Sequence, residues 1–336
     1  MESLDLRVLT DALGWKQAGY AVTLVTVVET WGSAPRPPGA LVAIRGDGVV
    51  SGSVSGGCVE DDLIARTKLS MAHGLQDAGN MKPRMLAYGV TKDEAAHFGL
   101  PCGGTLRLLQ ETLHDTAWVE EVLERTTAHQ LVARSLVLAT GRVTLVPAAR
   151  GQTMQFDGST LTTLFGPRWR ILLIGAGQLS QAVASIAVAL DFDVLVCDPR
   201  DGHWTTSGPT PGVRRIEGMP DDVVRAMVPD AHTAIVALTH DPKLDDMALL
   251  EALGSNAFYV GALGSRRNQD ARKKRLAEHF DMAADALSSL HGPVGLAIGA
   301  RTPAEIAVSI VAQIVQVKNA VTVAAPVASA SGCAVA

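Results

Sequence analysis

The sequence contains few aromatic and few charged residues. Aromatic residues make up 4% and charged residues 19% of the 336 residues, whereas hydrophobic residues make up 47%. This composition is typical of an α/β protein whose strands are buried on both faces. The net charge is −5, so the basic balance that is usual for a nucleic-acid-binding domain is missing. We therefore expect no nucleic-acid partner.

Long apolar runs and a secretory signal are also missing. No apolar run reaches the roughly 18 residues that a membrane-spanning helix needs. The first residues, MESLDLRVLTDALGWKQ, lack the basic start and apolar stretch of a signal peptide. We therefore expect a cytoplasmic protein that does not associate with a membrane.

The chain has four cysteines, and none of them has CxxC spacing. This pattern does not predict a disulfide framework, and it favours a reducing compartment. Neither Cys58 nor Cys102 has a second cysteine or a histidine at zinc-ligand spacing, so no zinc site is expected. Cys197 lies within an apolar strand candidate and is expected in the core, and Cys333 lies in the tail.

Length and patterning predict two domains. Residues 1–165 mix short β-branched runs with helical spacings, which predicts a mixed α+β domain. Residues 166–319 alternate regularly between apolar strands and helices, which predicts a Rossmann-like doubly wound parallel sheet. The low-complexity tail, residues 320–336, is expected to be disordered. The five strand candidates of the second domain are RILLIG (170–175), DVLVCD (193–198), TAIVALT (233–239), AFYVGAL (257–263) and VGLAIG (294–299).

A glycine-rich turn follows the first of these strands. Gly175 would permit a tight turn, and Gly177 would let a pyrophosphate approach the N–H groups at the start of the next helix. Asp198 ends the next strand, near the roughly 20-residue spacing at which an acid binds a ribose hydroxyl. This context favours a nucleotide-like ligand. The alternative is that the glycines only let the helix pack on the strand.

Other strand ends carry polar residues where a doubly wound sheet binds ligands. His240 and Asp241 follow TAIVALT. Ser265 is predicted to cap a helix that begins with Arg266, where an anion would be favoured. Arg301 precedes a predicted capping box and is either a ligand-binding or a surface residue.

Two cysteines stand beside glycine pairs. Gly56 and Gly57 predict a turn with accessible N–H groups, followed by Cys58 at the start of a helix, where a thiolate is stabilised. The acids that follow, at positions 60–62, oppose this effect. Cys102 precedes a second glycine pair without a helix. Both cysteines are candidates for soft ligands or sulfur carriers, and the alternative is that each is a small buried residue.

Taken together, these motifs resemble the XdhC/CoxI family of molybdenum hydroxylase accessory proteins. The resemblance covers most of residues 20–318. At the glycine turn the family typically has a histidine where this chain has Gln178. The motifs that carry it are GSAPRPPGA, SGSVSGGCVED, GAGQLS, DPR, THDP, YVGALGSRRN and GLAIGARTPAEIAVSI, in the expected order.

The resemblance implies a maturation chaperone rather than an oxidoreductase. Such a protein binds the molybdenum cofactor, as molybdopterin or its cytosine dinucleotide form, and protects it. It then inserts the cofactor into an apo hydroxylase of the xanthine dehydrogenase or aldehyde oxidase type. The implied partners are the large subunit of that hydroxylase, a cysteine desulfurase that supports sulfuration, and a molybdopterin nucleotidyltransferase. Independently of the resemblance, the apolar composition and the predicted burial of the last helix favour a homodimer.

On this interpretation Cys58 contacts or sulfurates the metal end of the cofactor, and Cys102 is a second functional cysteine. Two alternatives remain open. One is an NAD(P)-dependent oxidoreductase with His240 as the acid–base group, oriented by Asp241. The other is a sulfurtransferase that carries a persulfide on Cys58. The residues predicted to hold the cofactor are Gly175, Gly177, Gln178, Asp198, Arg200, His240, Asp241, Ser265, Arg266 and Arg301.

Overall fold

The computed structural model describes residues 3–31, 36–72, 82–89, 105–149, 151–200 and 211–320. The chain divides into two compact units, residues 1–167 and 168–336. Cys102 and the tail from residue 321, for which the sequence predicts disorder, lie outside the described residues. Within the ranges above, every helix is too short or too polar to cross a bilayer.

The first unit is a mixed α and β unit with two antiparallel sheets. One sheet has the order β3-β2-β1-β5-β4, and the other has the order β7-β6-β9-β8. Its described elements are α1 (Ser3–Gln17), β1 (Val22–Thr30), β2 (Leu41–Arg45), β3 (Val50–Gly52), α2 (Cys58–Ala72), β4 (Arg84–Tyr88), β5 (Leu106–Thr112), α3 (Ala117–Thr127), β6 (Val132–Val137), β7 (Arg142–Pro147), β8 (Gln155–Phe156) and β9 (Thr160–Phe165).

Apolar side chains cover both faces of the first sheet. Successive residues of a strand point to opposite faces, so Val22 and Leu24 of β1 pack with α1 and α3. Val25 and Val27 of the same strand pack with α2 through Leu63. This packing attaches α2, and therefore the backbone of Cys58 at its start, to the sheet.

The second unit is a six-stranded parallel sheet with helices on both faces. The strand order is β12-β11-β10-β13-β14-β15, which is the Rossmann order 3-2-1-4-5-6. The predicted Rossmann-like fold is confirmed. Its described elements are β10 (Arg170–Ile174), α4 (Gln178–Ala189), β11 (Asp193–Cys197), β12 (Val213–Ile216), α5 (Pro220–Met227), β13 (Thr233–Ala237), α6 (Pro242–Leu253), β14 (Tyr259–Ala262), α7 (Arg266–Phe280), α8 (Ala284–Ser288), β15 (Leu290–His291) and α9 (Pro303–Ala320).

The central strands of this sheet are buried on both faces. In β10, Ile171 and Leu173 pack with α4 and α9. Leu172 and Ile174 pack with α5 and α6 on the opposite face. Burial on both faces explains why these strands are continuous apolar runs without alternation.

The prediction of a strand over VGLAIG is wrong. The sixth strand is β15, and residues 294–299 continue past it in no strand, with one hydrogen bond to the sheet, from the Val294 N–H to Ala262 O of β14 at 3.0 Å. Gly295 and Gly299 have positive φ values. The Gly295 N–H donates to Gln313 Oε1 at 2.8 Å, and the Leu296 N–H donates to Ser309 O at 3.1 Å, so this segment binds α9. The sequence also fails to predict edge strand β12, because VRRI carries two arginines.

A buried ionic network joins α6 to α7. Arg272 Nη2 lies 3.1 Å from Asp245 Oδ2, and its Nε lies 3.1 Å from Asp246 Oδ1. Its Nη1 donates to Leu263 O at 3.2 Å and to Gln269 Oε1 at 3.1 Å. Burial raises the pKa of Asp245, although the Thr239 hydrogen bonds and the Arg272 charge partly offset it. The basic helix α7 is therefore anchored by an arginine, and only part of it is a solvated face.

We predict that Arg272→Ala lowers the free energy of unfolding of the second unit by about 3–5 kcal/mol, because it leaves a buried carboxylate without its cation. Urea unfolding followed by circular dichroism measures the change. Lys274→Ala is the matched control, since Lys274 is exposed and its one ion pair among the described residues is with Glu278 at 3.7 Å. A loss from Arg272→Ala as small as that from the control would contradict the role given to the network.

Candidate functional site

The switch point of the second unit lies between β10 and β13. These neighbours are followed by helices on opposite faces, since α4 packs in one core and α6 in the other. The chain therefore leaves the two strands in opposite directions at the edge where the parallel strands end, which we call the carboxyl edge. Doubly wound sheets have a crevice at such a point. Ligands bind in such crevices in doubly wound sheets.

The two glycines of the turn after β10 have different surroundings. Gly175 has φ +111°, and its N–H donates to Cys197 O at 2.7 Å. A Cβ on Gly175 would lie 3.2 Å from Thr239 atoms, so the positive φ and the close approach of the segment after β13 together favour glycine there. Gly177 caps α4 with φ −69°, and apart from its chain neighbours no atom of the described residues lies within 4 Å of its Cβ position. Gly175 therefore serves packing, and Gly177 leaves backbone open to a ligand. Gln178 beside it is exposed.

Asp198 binds groups of the protein itself. Its Oδ2 accepts from the Ala176 N–H at 2.9 Å, and the Arg200 guanidinium donates to both oxygens at 2.9 Å. Burial alone would raise the pKa of Asp198, but these hydrogen bonds outweigh it and lower the pKa. The Asp198 side chain has no exposed surface, whereas Arg200 is 28% exposed. In this arrangement Arg200 is the group open to a ligand, and Asp198 holds it and the glycine turn.

The segment after β13 is held by α6. Asp245 Oδ1 accepts from Thr239 Oγ1 at 2.6 Å and from the Thr239 N–H at 3.2 Å. Asp241 Oδ1 accepts from the Lys243 N–H at 2.9 Å and so caps α6. His240 is exposed, with φ +62°. Asp241 thus stabilises the helix start, and no described hydrogen bond joins it to the His240 ring.

The predicted cap of α7 is present. Ser265 Oγ accepts from the Asn268 N–H at 3.2 Å, which satisfies one N–H of the first helical turn. Arg266, the first helical residue, is exposed. Because Ser265 follows β14, this helix start also lies at the carboxyl edge.

Arg301 reaches the same edge through α9. Glu305 Oε2 accepts from the N–H groups of Arg301 at 2.7 Å and Thr302 at 3.0 Å, and Thr302 Oγ1 accepts from the Glu305 N–H. The predicted capping box is therefore formed. Near the end of α9, Lys318 Nζ lies 5.3 Å from the ring centroid of Trp169, the residue before β10. The helix thus runs against the strands, and its first turn, with the exposed Arg301 beside it, points toward the carboxyl edge.

The structure places all ten predicted cofactor residues in the second unit, at or toward its carboxyl edge. Cys58 belongs to the first unit, where it is the first residue of α2. Cys197 is buried in β11, its Sγ donates to Gly218 O at 3.5 Å, and burial raises its pKa to about 11. Its predicted place in the core is confirmed. Among the described side chains, no group of three or more His, Cys, Asp or Glu is arranged to hold a metal.

The loop before Cys58 surrounds the carboxylate of Glu60. The N–H groups of residues 54–57 all donate to this carboxylate, at 2.9, 2.8, 3.0 and 2.8 Å. The hydroxyls of Ser53 and Ser55 also donate to it. We call residues 53–57 the Glu60 loop. The glycine pair predicts accessible N–H groups at Gly56 and Gly57, and this prediction is wrong because Glu60 accepts from both.

These contacts explain the electrostatics of Glu60. Glu60 is only 9% exposed, and burial by itself would raise the pKa of its carboxyl group. The hydrogen bonds from Ser55, Gly56 and Ser53 outweigh burial and lower the pKa to about 2. The sequence does contain a signal for this role, because Glu60 stands three residues after Gly57, whose C=O begins the helical ladder of α2 by accepting from the Asp61 N–H. A glutamate three residues after the residue that caps the helix is the second of the two positions of a capping box.

We predict that the stability advantage of the wild type over Glu60→Gln depends on pH. The folded-state pKa lies below the ordinary value of 4.5, so the contribution is complete above pH 4.5 and is lost as pH falls through about 2. The advantage should be about 3 kcal/mol near pH 6. Urea unfolding of the first unit at a series of pH values measures it.

Asp61→Asn, which removes a carboxylate of the same helical turn, is the control and should show no such advantage. An advantage of the wild type over Glu60→Gln that stays constant from pH 6 to pH 2 would mean that the Glu60 charge is not what binds the loop.

Two family models and several known proteins match this chain. Residues 171–314 match the XdhC Rossmann domain, and residues 15–78 match the XdhC and CoxI family. A Bacillus subtilis protein, named as a probable subunit of xanthine dehydrogenase, is 30% identical, over 89% of this chain and 94% of its own length. The Escherichia coli molybdenum cofactor insertion chaperone PaoD is 28% identical, over 93% and 87%.

A solved structure has the same fold. It is described as a xanthine dehydrogenase from Bacillus halodurans, and it superimposes with a TM-score of 0.73 over 95% of this chain and 96% of its own, at 24% identity. That likeness concerns the fold alone. The family models and the identity to the Bacillus subtilis protein together settle the assignment. This chain belongs to the XdhC and CoxI family.

Proposed function

We propose that this protein is a chaperone that binds the molybdenum cofactor as cargo, protects it and inserts it into an apo molybdenum hydroxylase of the xanthine dehydrogenase or aldehyde oxidase type. The observation that carries the proposal is the open backbone at Gly177 beside Arg200, at the switch point of a Rossmann unit of this family. The Escherichia coli relative is named for cofactor insertion, and the Bacillus subtilis relative is named for xanthine dehydrogenase.

The carboxyl edge suits the phosphate end of this cargo. Molybdopterin carries a phosphate, and its cytosine dinucleotide form carries a pyrophosphate. The N–H groups at the start of α4 are accessible because Gly177 has no side chain, and helix starts favour anions. Arg200, Arg266 and Arg301 add three exposed or partly exposed cations at or toward the same edge. Guanidinium groups bind phosphate oxygens through paired hydrogen bonds.

Two contacts weigh against an NAD(P)-dependent oxidoreductase. An acid at the position of Asp198 would bind a ribose hydroxyl in that class. Here Oδ1 of Asp198 accepts from Arg200, and Oδ2 accepts from both Arg200 and the Ala176 N–H. Asp241 caps α6 instead of orienting His240. We therefore do not adopt that function.

The metal end of the cargo is assigned to Cys58. A thiolate is a soft ligand, which suits a molybdenum centre with sulfur ligands. Its place at the start of α2 is a helix position that favours thiolate, although Glu60 adds a negative charge there. The proposal includes sulfuration of the bound cargo by a cysteine desulfurase in the cytoplasm. It also includes transfer from a molybdopterin nucleotidyltransferase and a homodimeric state.

We predict that Gly177→Ala weakens cargo binding by about tenfold or more, because a methyl group occupies the space where the phosphate approaches the backbone. Its stability should change by only about 1 kcal/mol, the scale of an exposed N-cap substitution. Cofactor released from a purified molybdenum hydroxylase is titrated against the full chain, and bound pterin is measured after rapid gel filtration.

Gly254→Ala is the matched control. Gly254 follows α6, which runs against the strands, so it lies away from the carboxyl edge, and its Cβ position has only ordinary contacts at 3.7 Å. It should bind cargo as the wild type does. Equal affinity of Gly177→Ala and the wild type would show that the phosphate does not bind at this turn.

A further inference from the structure

The acceptor capacity of the Glu60 carboxylate is fully used by the Glu60 loop. A carboxylate offers about four lone-pair sites, and this one accepts from four N–H groups and two hydroxyls. The N–H groups of residues 54–57 are therefore not available to a phosphate or to another oxygen of a ligand. The glycine pair in this loop therefore binds a carboxylate of the protein and not an anion of a ligand.

The loop connects two buried anchors. Val54 and Val59 are both fully buried in the core that joins the first sheet to α2. Between them lie only four residues, 55–58, and the last of these is Cys58. Gly57 starts the helix, because its C=O accepts from the Asp61 N–H at 3.2 Å. Glu60 lies in the first turn of α2, and its carboxylate accepts from the N–H groups of residues 55–57. It therefore holds this short connection against the helix.

We propose that Glu60 is a positioning residue for Cys58: its carboxylate fixes the Glu60 loop and thereby holds the backbone of Cys58 where the metal end of the cargo meets it. This inference rests on the proposed function and deepens it. Glu60 itself does not touch the cargo. It acts through the loop, so its effect on cargo must pass through Cys58.

The hydrogen bonds of the Glu60 loop require a glutamate at position 60. Oε1 accepts from three N–H groups and the Ser53 hydroxyl, and Oε2 accepts from the Gly57 N–H and the Ser55 hydroxyl. Glutamine has the same length but replaces one oxygen with an NH2 group, which only donates. In either orientation of the amide, at least one loop N–H loses its acceptor. Glu60→Gln therefore releases the loop without changing side-chain size.

The test measures Cys58 directly. Full-length wild type, Glu60→Gln and Asp61→Asn are labelled with iodoacetamide at one pH near neutrality, and the rate at Cys58 is followed by peptide mass spectrometry. Circular dichroism verifies that each protein is folded under the labelling conditions. Asp61 is exposed and is the matched control, because it carries the same charge on the next residue and its side chain makes no described contact with the loop. Its backbone N–H donates to Gly57 O, and Asp61→Asn keeps that hydrogen bond.

Glu60→Gln should change the Cys58 labelling rate by at least about fivefold, whereas Asp61→Asn should stay within about twofold of the wild type. In guanidinium chloride all three proteins should react at the same rate. Equal native rates for wild type and Glu60→Gln would overturn the proposal.

A second measurement separates positioning from general destabilisation. Bound molybdenum is determined for Glu60→Gln, Cys58→Ala and the double variant after loading with cofactor. If Glu60 acts through Cys58, the double variant retains as much molybdenum as Cys58→Ala alone, because the two losses are not additive. A further loss in the double variant would show that Glu60 acts on the fold and would overturn the proposal.

The two hypotheses fail in different ways. If the wild type binds no molybdenum, the proposed function fails, and the labelling rates still decide whether Glu60 positions Cys58. If the wild type binds molybdenum and the labelling rates do not differ, the function stands and the role of Glu60 is wrong.

Discussion

Backbone N–H groups in the loops of this protein are bound by carboxylates of the chain itself, and the positions of the candidate functional residues depend on this interaction. A loop that follows a strand or precedes a helix leaves N–H groups without partners in secondary structure, and burying them unpaired is costly. Glu60 satisfies residues 54–57, Asp198 satisfies Ala176 and Arg200, and Glu305 satisfies Arg301 and Thr302. Each carboxylate thereby fixes the residue that stands next to its loop.

Because these carboxylates and N–H groups bind one another, only the remaining polar groups are available to a ligand. The carboxylates of Glu60, Asp198 and Glu305 bind groups of the protein, so the groups left open to an anionic ligand at the carboxyl edge are mainly glycine backbone and arginine. Asp198 is the clearest case, because its side chain is fully buried while the Arg200 that it orients remains 28% exposed. The net charge of −5 belongs to the whole chain and does not predict the local charge at the carboxyl edge. There the carboxylate of Asp198 binds backbone and arginine, and the backbone of Gly177 is open.

Much of the second unit is predictable from the sequence. Its central strands are apolar runs buried on both faces, and a glycine turn directly after a strand allows few folds. The edges are harder to predict. VGLAIG resembles a strand in composition but binds α9, and VRRI lacks the apolar run that marks a buried strand. Strand pairing at a sheet edge is decided by tertiary contacts that local composition does not contain.

The sequence predicts where the residues of the candidate site lie, but it does not predict what each of them binds. Spacing correctly places Asp198, His240, Ser265 and Arg301 at strand ends or helix starts. It does not show that Asp241 caps α6, or that Asp245 binds Thr239, because those roles depend on which donor lies within about 3 Å. In the sequence alone, the spacing of Glu60 from Gly57 indicates a helix cap, but it does not show how many N–H groups the carboxylate binds. Its role emerges when the loop folds back over it and brings four N–H groups to one carboxylate.

The central claim is that this protein carries the molybdenum cofactor. The most direct test is to purify the full chain from cells that make the cofactor, and to measure bound molybdenum by elemental analysis and bound pterin by oxidation to its fluorescent derivative. We expect molybdenum and pterin in near-equal amounts. The absence of both, even after free cofactor is added to the purified protein, would contradict the claim.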